Sequence, residues 1–125
     1  MNAICAKHCA HPIGENERVV RGRDLLLKRD FVGFGALMYE SHQSSSEYFD
    51  NSCPELDFVV ATARNIPGVL GARLSGGGFG GSAILLTYSR DTDVIIHAIT
   101  SAYRNKYDRH CETRRLIPSP GATLI

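Results

Sequence analysis

The sequence contains no tryptophan, no long hydrophobic run and almost no net charge. Fourteen Lys and Arg residues oppose 13 Asp and Glu residues, so the net charge is +1 and the chain lacks the basic excess that binding to nucleic-acid phosphates demands. No segment approaches the run of about 18 apolar residues that spans a membrane, and residues 1–11 lack the layout of a signal peptide. These absences predict a cytoplasmic protein whose partners include neither nucleic acid nor membrane.

The cysteines lack the spacing of a disulfide framework. They occupy positions 5, 9, 53 and 111, and without a secretion signal we expect them to be reduced thiols. Cys5, His8, Cys9 and His11 offer four possible metal ligands within a short segment. Zinc sites usually place such ligands in separated pairs, and no second pair follows here. We therefore expect no metal site and leave the role of these four residues open.

What the sequence does contain is the composition of one globular domain. At 125 residues, with 43% hydrophobic and 22% charged side chains, it is long enough to bury a core without metals or disulfides. Helix-forming composition and apolar spacing predict four helices: residues 15–28, 31 to about 42, 53–64 after Ser52 as the capping residue, and from 91 or 92 to 103. The third helix is expected to begin with a capping box, in which Ser52 stands three residues before Glu55 and Pro54 lies in the first turn.

The strands are short and few. Apolar segments predict strands over residues 69–74 and 83–88, and a last strand over 115–117 that Pro118 and Pro120 end. The order of elements indicates an α+β fold in which helices cover one face of a small antiparallel sheet. Three strands leave long unpaired edges, so we expect either a fourth strand upstream of Met1 or a second chain beside the edge.

Between the first two strands lies a run with five glycines in six positions. A two-residue hairpin turn needs only one or two residues at positive φ, so the run predicts a close approach to the backbone. Successive N–H groups in such a run can hold an anion, and a loop kept small only for domain packing is the alternative. It is neither a G-x-x-x-x-G-K-[ST] loop nor a G-x-G-x-x-G turn, since it leads into a strand and not a helix. The candidate anion-binding residues are Ser75, Gly76, Gly77, Gly78, Phe79, Gly80 and Gly81.

The glycine run and its neighbours resemble a known family. Residues 71–81 (G-A-R-L-S-G-G-G-F-G-G) resemble the third signature motif of GHMP small-molecule kinases, in the form found in galactokinases. Residues 15–19 (E-N-E-R-V), 37–44 (L-M-Y-E-S-H-Q-S) and 53–57 (C-P-E-L-D) resemble further family segments in the same order, and residues 118–122 (P-S-P-G-A) are similar to its terminal strand. The resemblance covers about residues 10–125.

This resemblance implies a fold and an activity. The fold is the ferredoxin-like C-terminal domain of these kinases, spanning residues 1–125 with its first strand missing. The activity is transfer of the γ-phosphate of ATP to the anomeric hydroxyl of galactose or a related sugar, with Mg²⁺ bridging the phosphates. The family carries its sugar signature and its catalytic Asp and Arg in an N-terminal half, so we assign no catalytic residue to this chain and expect it to be a fragment that is inactive alone.

Other functions stay open beside this one. The chain could pair with a separately encoded N-terminal half, or it could be a stand-alone ferredoxin-like binding module that forms a homodimer through its free sheet edge. A galactokinase-like sugar sensor is a third alternative. The segment after residue 44 is less charged than is usual in galactokinases, which leaves the sugar undecided.

Individual side chains near these motifs have two interpretations each. Arg73 could face a phosphate, although a solvent-facing strand Arg is the simpler expectation, and Ser75 could bind phosphate or only close the turn. His42 stands near two serines, yet we expect a helix C-terminal His rather than a nucleophile pair, because no acidic partner is evident. The first-turn positions of Glu55 and Asp57 explain their charges.

Overall fold

A computed structural model describes residues 2–121. Within these residues, four α-helices and two antiparallel strands confirm the expected α+β fold with a small antiparallel sheet. None of the helices within residues 2–121 is long and apolar enough to cross a membrane. In chain order the elements are α1 (Ala3–Leu27), α2 (Phe31–Ser44), a π-helical segment (Ser45–Phe49), α3 (Pro54–Arg64), β1 (Val69–Ser75), β2 (Ser82–Thr87), a 3₁₀ turn (Ser89–Asp91) and α4 (Thr92–Tyr107).

Helix α1 is longer than its composition predicts. It begins at Ala3, where the Asn2 side chain accepts a hydrogen bond from the backbone N–H of Ile4 at 2.6 Å, and it continues through Pro12. Proline and glycine are unfavourable inside a helix, so Pro12 and Gly14 led to a predicted helix start at residue 15. Residues 3–9 are thus part of the folded helix, whose N-terminal half packs beside the π-helical segment.

Helix α2 lies directly on β1. Asp30 caps it by accepting a hydrogen bond from the N–H of Gly33 at 2.8 Å. A side chain at Gly35 would collide with the carbonyl oxygen of Leu70, and one at Gly71 would collide with the backbone of Gly35. These glycines weaken the helix and strand patterns in the sequence, and the structure uses them to bring two backbones together.

The core forms where α3 and α4 pack against the sheet. Its buried residues are Val60 and Ala63 of α3, Ala72 of β1, and Ile95 and Ile99 of α4. Helix α4 begins at Thr92 as expected and buries the face that the apolar spacing predicts. The sheet and the three helices after α1 therefore hold β1, which leads into the glycine run, in a fixed position.

The last predicted strand does not form. Residues 110–121 contain no helix or strand, and residue 122, which ends the terminal motif, lies outside the described residues. Leu116 and Ile117 are 76% and 83% exposed, and Arg115 forms an ion pair with Asp93. The segment has the residues of a strand, but the described part of the chain offers it no partner, so the sheet has two strands and not three.

The predicted capping box of α3 is also wrong. The helix takes Cys53 as its N-cap residue, with no side-chain hydrogen bond. The Ser52 hydroxyl instead donates to Oδ1 of Asp57 at 2.5 Å, so it does not bond to the backbone at the start of α3.

Candidate functional site

The glycine loop, residues 75–81, connects β1 to β2. Ser75 pairs with Ser82 at the point where the two strands diverge. The loop backbone has positive φ at Gly76, Gly78 and Gly80, where glycine is favoured, and also at Phe79, with φ of 55°. Phe79 is 77% exposed, so a strained backbone presents an aromatic ring to the outside.

Asn51 anchors the middle of this loop. Its carbonyl oxygen accepts a hydrogen bond from the N–H of Phe79 at 2.7 Å, and its side-chain amide donates to the carbonyl oxygen of Gly77 at 3.2 Å. A side chain at Gly78 would collide with the Asn51 carbonyl oxygen. Contacts within the chain therefore explain why position 78 is glycine.

Gly77 has no such explanation. Its φ is not positive, and nothing within the described residues lies within 4 Å of the position that a Cβ would take. The positions of Gly76 and Gly80 are equally open, although positive φ accounts for glycine there. Residues 2–121 give no reason to omit a side chain at Gly77, so the open face of the loop fits an approach by another group.

This open face suits an anion better than a cation. Residues 75–81 carry a hydroxyl and backbone N–H groups but no carboxylate. Phosphate oxygens accept hydrogen bonds from such groups, whereas Mg²⁺ prefers carboxylate and phosphate oxygens. The composition of the glycine loop is therefore compatible with an anion, and it does not itself fit Mg²⁺.

A cavity of about 420 Å³ adjoins the start of the loop. It is lined by Phe34, Met38, Arg73, Leu74, Ser75, Gly76 and Ile84. It shares Phe34, Met38 and Arg73 with a groove of about 520 Å³ that continues between α1 and α2. The beginning of the loop thus opens onto a mainly apolar cavity, to which Arg73 contributes the one guanidinium.

That guanidinium, Arg73, is half-buried, with 35% of its side chain exposed, and it is held by other groups of the chain. Its Nε donates to the Leu74 carbonyl oxygen at 3.0 Å, and one terminal nitrogen lies 3.3 Å from Oε2 of Glu15. The same carboxylate accepts from Ser41 Oγ at 2.9 Å and from Arg18 Nε at 2.6 Å. Burial alone would raise the pKa of Glu15, but the hydrogen bonds from Arg18 and Ser41 and the charge of Arg73 lower it. Glu15 is therefore ionised and holds Arg73 in place.

His42 lies in the last turn of α2, as expected, and it is buried, at 7% exposure. Its ring contacts the carboxylate of Asp57 and the backbone N–H of Leu74. The expected lack of an acidic partner is therefore wrong, and the role of Asp57 goes beyond its helix position. No local pattern indicates that two residues 15 positions apart on different helices would meet.

No nucleophile pair forms at His42. Ser41 donates to Glu15, and Ser44 lies 2.9 Å from the ring of His11. The serines near His42 in sequence are therefore bonded elsewhere. Glu55 forms an exposed ion pair with Arg109 at 3.0 Å.

The His and Cys residues of α1 do not converge. Within residues 2–121 no three His, Cys, Asp or Glu side chains are placed to hold a metal ion. Cys5 and Cys9 are exposed, and the rings of His8 and His11 pack against Phe49 of the π-helical segment. His11 thus helps to fix the segment that leads into Asn51.

Comparisons with known proteins find one consistent set of relatives for the chain. The family model described as GHMP kinases C terminal matches residues 23–105. A galactokinase of Thermotoga neapolitana is 36% identical over 104 residues, which cover 83% of this chain and 30% of that protein. A galactokinase of Streptomyces coelicolor is 42% identical over 115 residues, which cover 92% of this chain and 30% of that protein.

A solved structure agrees with these sequence matches. The crystal structure of Lactococcus lactis galactokinase complexed with galactose superposes with a TM-score of 0.83 and 29% identity, and it covers 87% of this chain and 28% of that one. The chain therefore spans about 30% of the length of the curated relatives that it matches.

Proposed function

The chain belongs to the GHMP kinase family, and on that premise we propose that residues 1–125 form the C-terminal domain of a galactokinase-like enzyme. Such an enzyme transfers the γ-phosphate of ATP to the anomeric hydroxyl of galactose. The supporting facts are the names of the relatives and the likeness to a galactokinase that binds galactose.

The observation that carries this proposal is the open face of the glycine loop at Gly77. Phosphoryl transfer depends mainly on positioning and on neutralising phosphate charge, so a loop that offers N–H groups can contribute without any catalytic side chain. ATP supplies the phosphoryl group. We propose that residues 75–81 contact its phosphates, with the Ser75 hydroxyl as a further donor.

The remaining groups of the active site belong, in this proposal, to the other part of the enzyme. The chain spans less than a third of its Thermotoga neapolitana relative, and the glycine loop carries no carboxylate for Mg²⁺ or for the sugar hydroxyl. We therefore propose that the general base, the Mg²⁺ ligands and the sugar contacts lie on the N-terminal part of a galactokinase, and that the isolated chain has no turnover.

The test is galactose-dependent formation of ADP by this chain, by the N-terminal part of a related galactokinase, and by the two together. We expect ADP only from the mixture, and only when galactose is present. Turnover by the chain alone would overturn the assignment of the catalytic groups to the other part. An inactive mixture, made with an N-terminal part that works with its own C-terminal part, would overturn the galactokinase proposal. A panel of other sugars in the same assay identifies the acceptor.

A second function has one observation in its favour. Strand β2 pairs only with β1, so one edge of β2 has no neighbouring strand among residues 2–121. Ile84 on this strand is 43% exposed. We propose as the alternative a homodimer that pairs β2 edges. Sedimentation of the chain distinguishes the two: a dimer that persists when the N-terminal part is added favours the stand-alone module.

A further inference from the structure

His42 lies buried beside the start of the glycine loop. Its Nδ1 accepts a hydrogen bond from the backbone N–H of Leu74 at 3.1 Å. Its Nε2 lies 3.0 Å from Oδ1 of Asp57. Leu74 is the last residue before the loop, so a single ring on α2 joins the strand that leads into the loop to a carboxylate on α3.

These two contacts fix the tautomer of His42. A backbone N–H can only donate, so Nδ1 carries no proton, and the proton of the neutral ring lies on Nε2, which donates it to Asp57. A second proton on Nδ1 would face the N–H of Leu74. The hydrogen bond between α2 and β1 would then be lost, because two donors would oppose each other.

The same network reaches the middle of the glycine loop. Asn51 holds the loop at Gly77 and Phe79, and its neighbour Ser52 donates to Asp57 at 2.5 Å. His42 therefore connects the start of the glycine loop to Asp57. Asn51 holds the middle of the loop, and the residue next to it, Ser52, bonds to the same carboxylate. His42, Asn51 and Ser52 make these bonds within the domain, and hydrogen bonds shielded from water hold the elements that they join in place.

We infer that His42 is a positioning residue, which holds the glycine loop in the shape that contact with phosphate needs and releases the start of the loop when its ring takes a second proton. The role of the loop rests on the proposed function. The way in which the loop is held rests only on the hydrogen bonds of His42 and Asn51.

The charges that act on His42 come from the elements packed against it. Burial lowers the pKa of His42 below its ordinary value of 6.5, the charge and hydrogen bond of Asp57 oppose this, and the charges of Arg73 on β1 and Arg64 on α3 add to the lowering. The ring is therefore neutral at neutral pH, and release of the loop belongs to acid conditions.

Two variants of similar size distinguish the contribution of the Nδ1 hydrogen bond of His42 from that of the Nε2 hydrogen bond. His42→Asn keeps an acceptor oxygen close to the position of Nδ1, whereas His42→Gln reaches only the position of Nε2. Hydrogen exchange of the Leu74 amide is measured by NMR in the 125-residue chain, with the buried Ile99 of α4 as the reference for global opening. We expect the Leu74 amide to exchange about tenfold faster, relative to Ile99, in His42→Gln and to stay within about threefold in His42→Asn.

The second readout is the kinetics of the mixture with an N-terminal part. We expect kcat to be about tenfold or more below the wild-type value in His42→Gln and largely retained in His42→Asn. The KM for galactose should be unchanged in both variants. Equal Leu74 exchange in the two variants, or a proton on Nδ1 in the ¹⁵N spectrum of the wild-type ring, would overturn the inference. Altered exchange with unchanged kcat would overturn the positioning role and leave the galactokinase proposal standing. An inactive wild-type mixture counts against that proposal alone, because the exchange measurement still decides how the loop is held.

Discussion

The carbonyl oxygen of Asn51 accepts a hydrogen bond from the backbone N–H of Phe79 at 2.7 Å, and it occupies the space that a side chain at position 78 would need. This contact ties the residues that follow the π-helical segment to Phe79, the non-glycine residue of the loop with positive φ. The loop is therefore held by its own domain on one face and open on the other, and its glycines have different reasons to be glycine.

Substitution of Gly78 by Ala should destabilise the isolated chain. The new Cβ meets the Asn51 carbonyl, and φ of 82° disfavours any residue with a side chain, so we expect a loss of about 1–3 kcal/mol in the free energy of unfolding. Urea unfolding measures it. A stability equal to that of the wild type would contradict the described contact between Asn51 and the loop.

Gly35→Ala should be more damaging, because the Cβ would enter the backbone of β1 at Leu70. Close approach of two backbones cannot relax by a rotamer change, and we expect a loss above about 2 kcal/mol. Gly14→Ala is the control, since its Cβ meets only the flexible end of Arg18 and gains helix propensity of up to about 1 kcal/mol. If both variants unfold at the same urea concentration, the packing of α2 on β1 is not as described.

Removal of the Glu15 charge should loosen the contact between α1 and the start of the glycine loop. Glu15→Gln weakens the hydrogen bonds to Arg18, Ser41 and Arg73, for which we expect a loss of about 1–3 kcal/mol. Glu17→Gln, at an exposed position on the same helix, should change stability by less than about 0.5 kcal/mol. Denaturant unfolding of both variants checks this, and equal effects would contradict a special role for Glu15.

Stability should decrease in mild acid. Burial is the largest influence that lowers the pKa values of His42 and His11 below 6.5. Because the unfolded chain then binds protons that the folded chain does not, their contribution is fully present above pH 6.5 and is lost as the pH falls below it. The slope is at most about 1.4 kcal/mol per pH unit for each ring. The test is to measure the free energy of unfolding at several pH values below 6.5 for the wild type and for the double variant His11→Asn, His42→Asn. The same dependence on pH in both proteins would contradict the account.

The sequence predicted the parts of the fold that depend on local pattern. The helices near Phe31, Pro54 and Thr92 and both strands beside the glycine loop follow from apolar spacing and turn residues, and they form close to the predicted bounds. Helix α1 was predicted too short because Pro12 is a breaking signal that packing overrides. The strand at 115–117 failed because strand residues need a partner edge, which no local pattern reveals.

The site was predictable only in part, for a similar reason. A run of glycines indicates close approach, but the run does not say whether the neighbour belongs to the chain, as Asn51 does at Gly78, or lies outside it, as the open space at Gly77 indicates. His42 and Asp57 belong to different helices, so their contact depends on how α2 and α3 pack. Such pairings arise from tertiary structure and leave no trace in residue spacing.

Gly77→Val in the mixture of this chain with the N-terminal part of a galactokinase tests most directly whether the glycine loop forms one wall of a kinase site. The new side chain enters open space in the isolated chain, so its free energy of unfolding should change by less than about 1 kcal/mol. Galactose-dependent ADP formation should fall by about 10- to 100-fold, because the side chain occupies the space assigned to the phosphates. Unchanged ADP formation by a stable Gly77→Val variant would contradict the account.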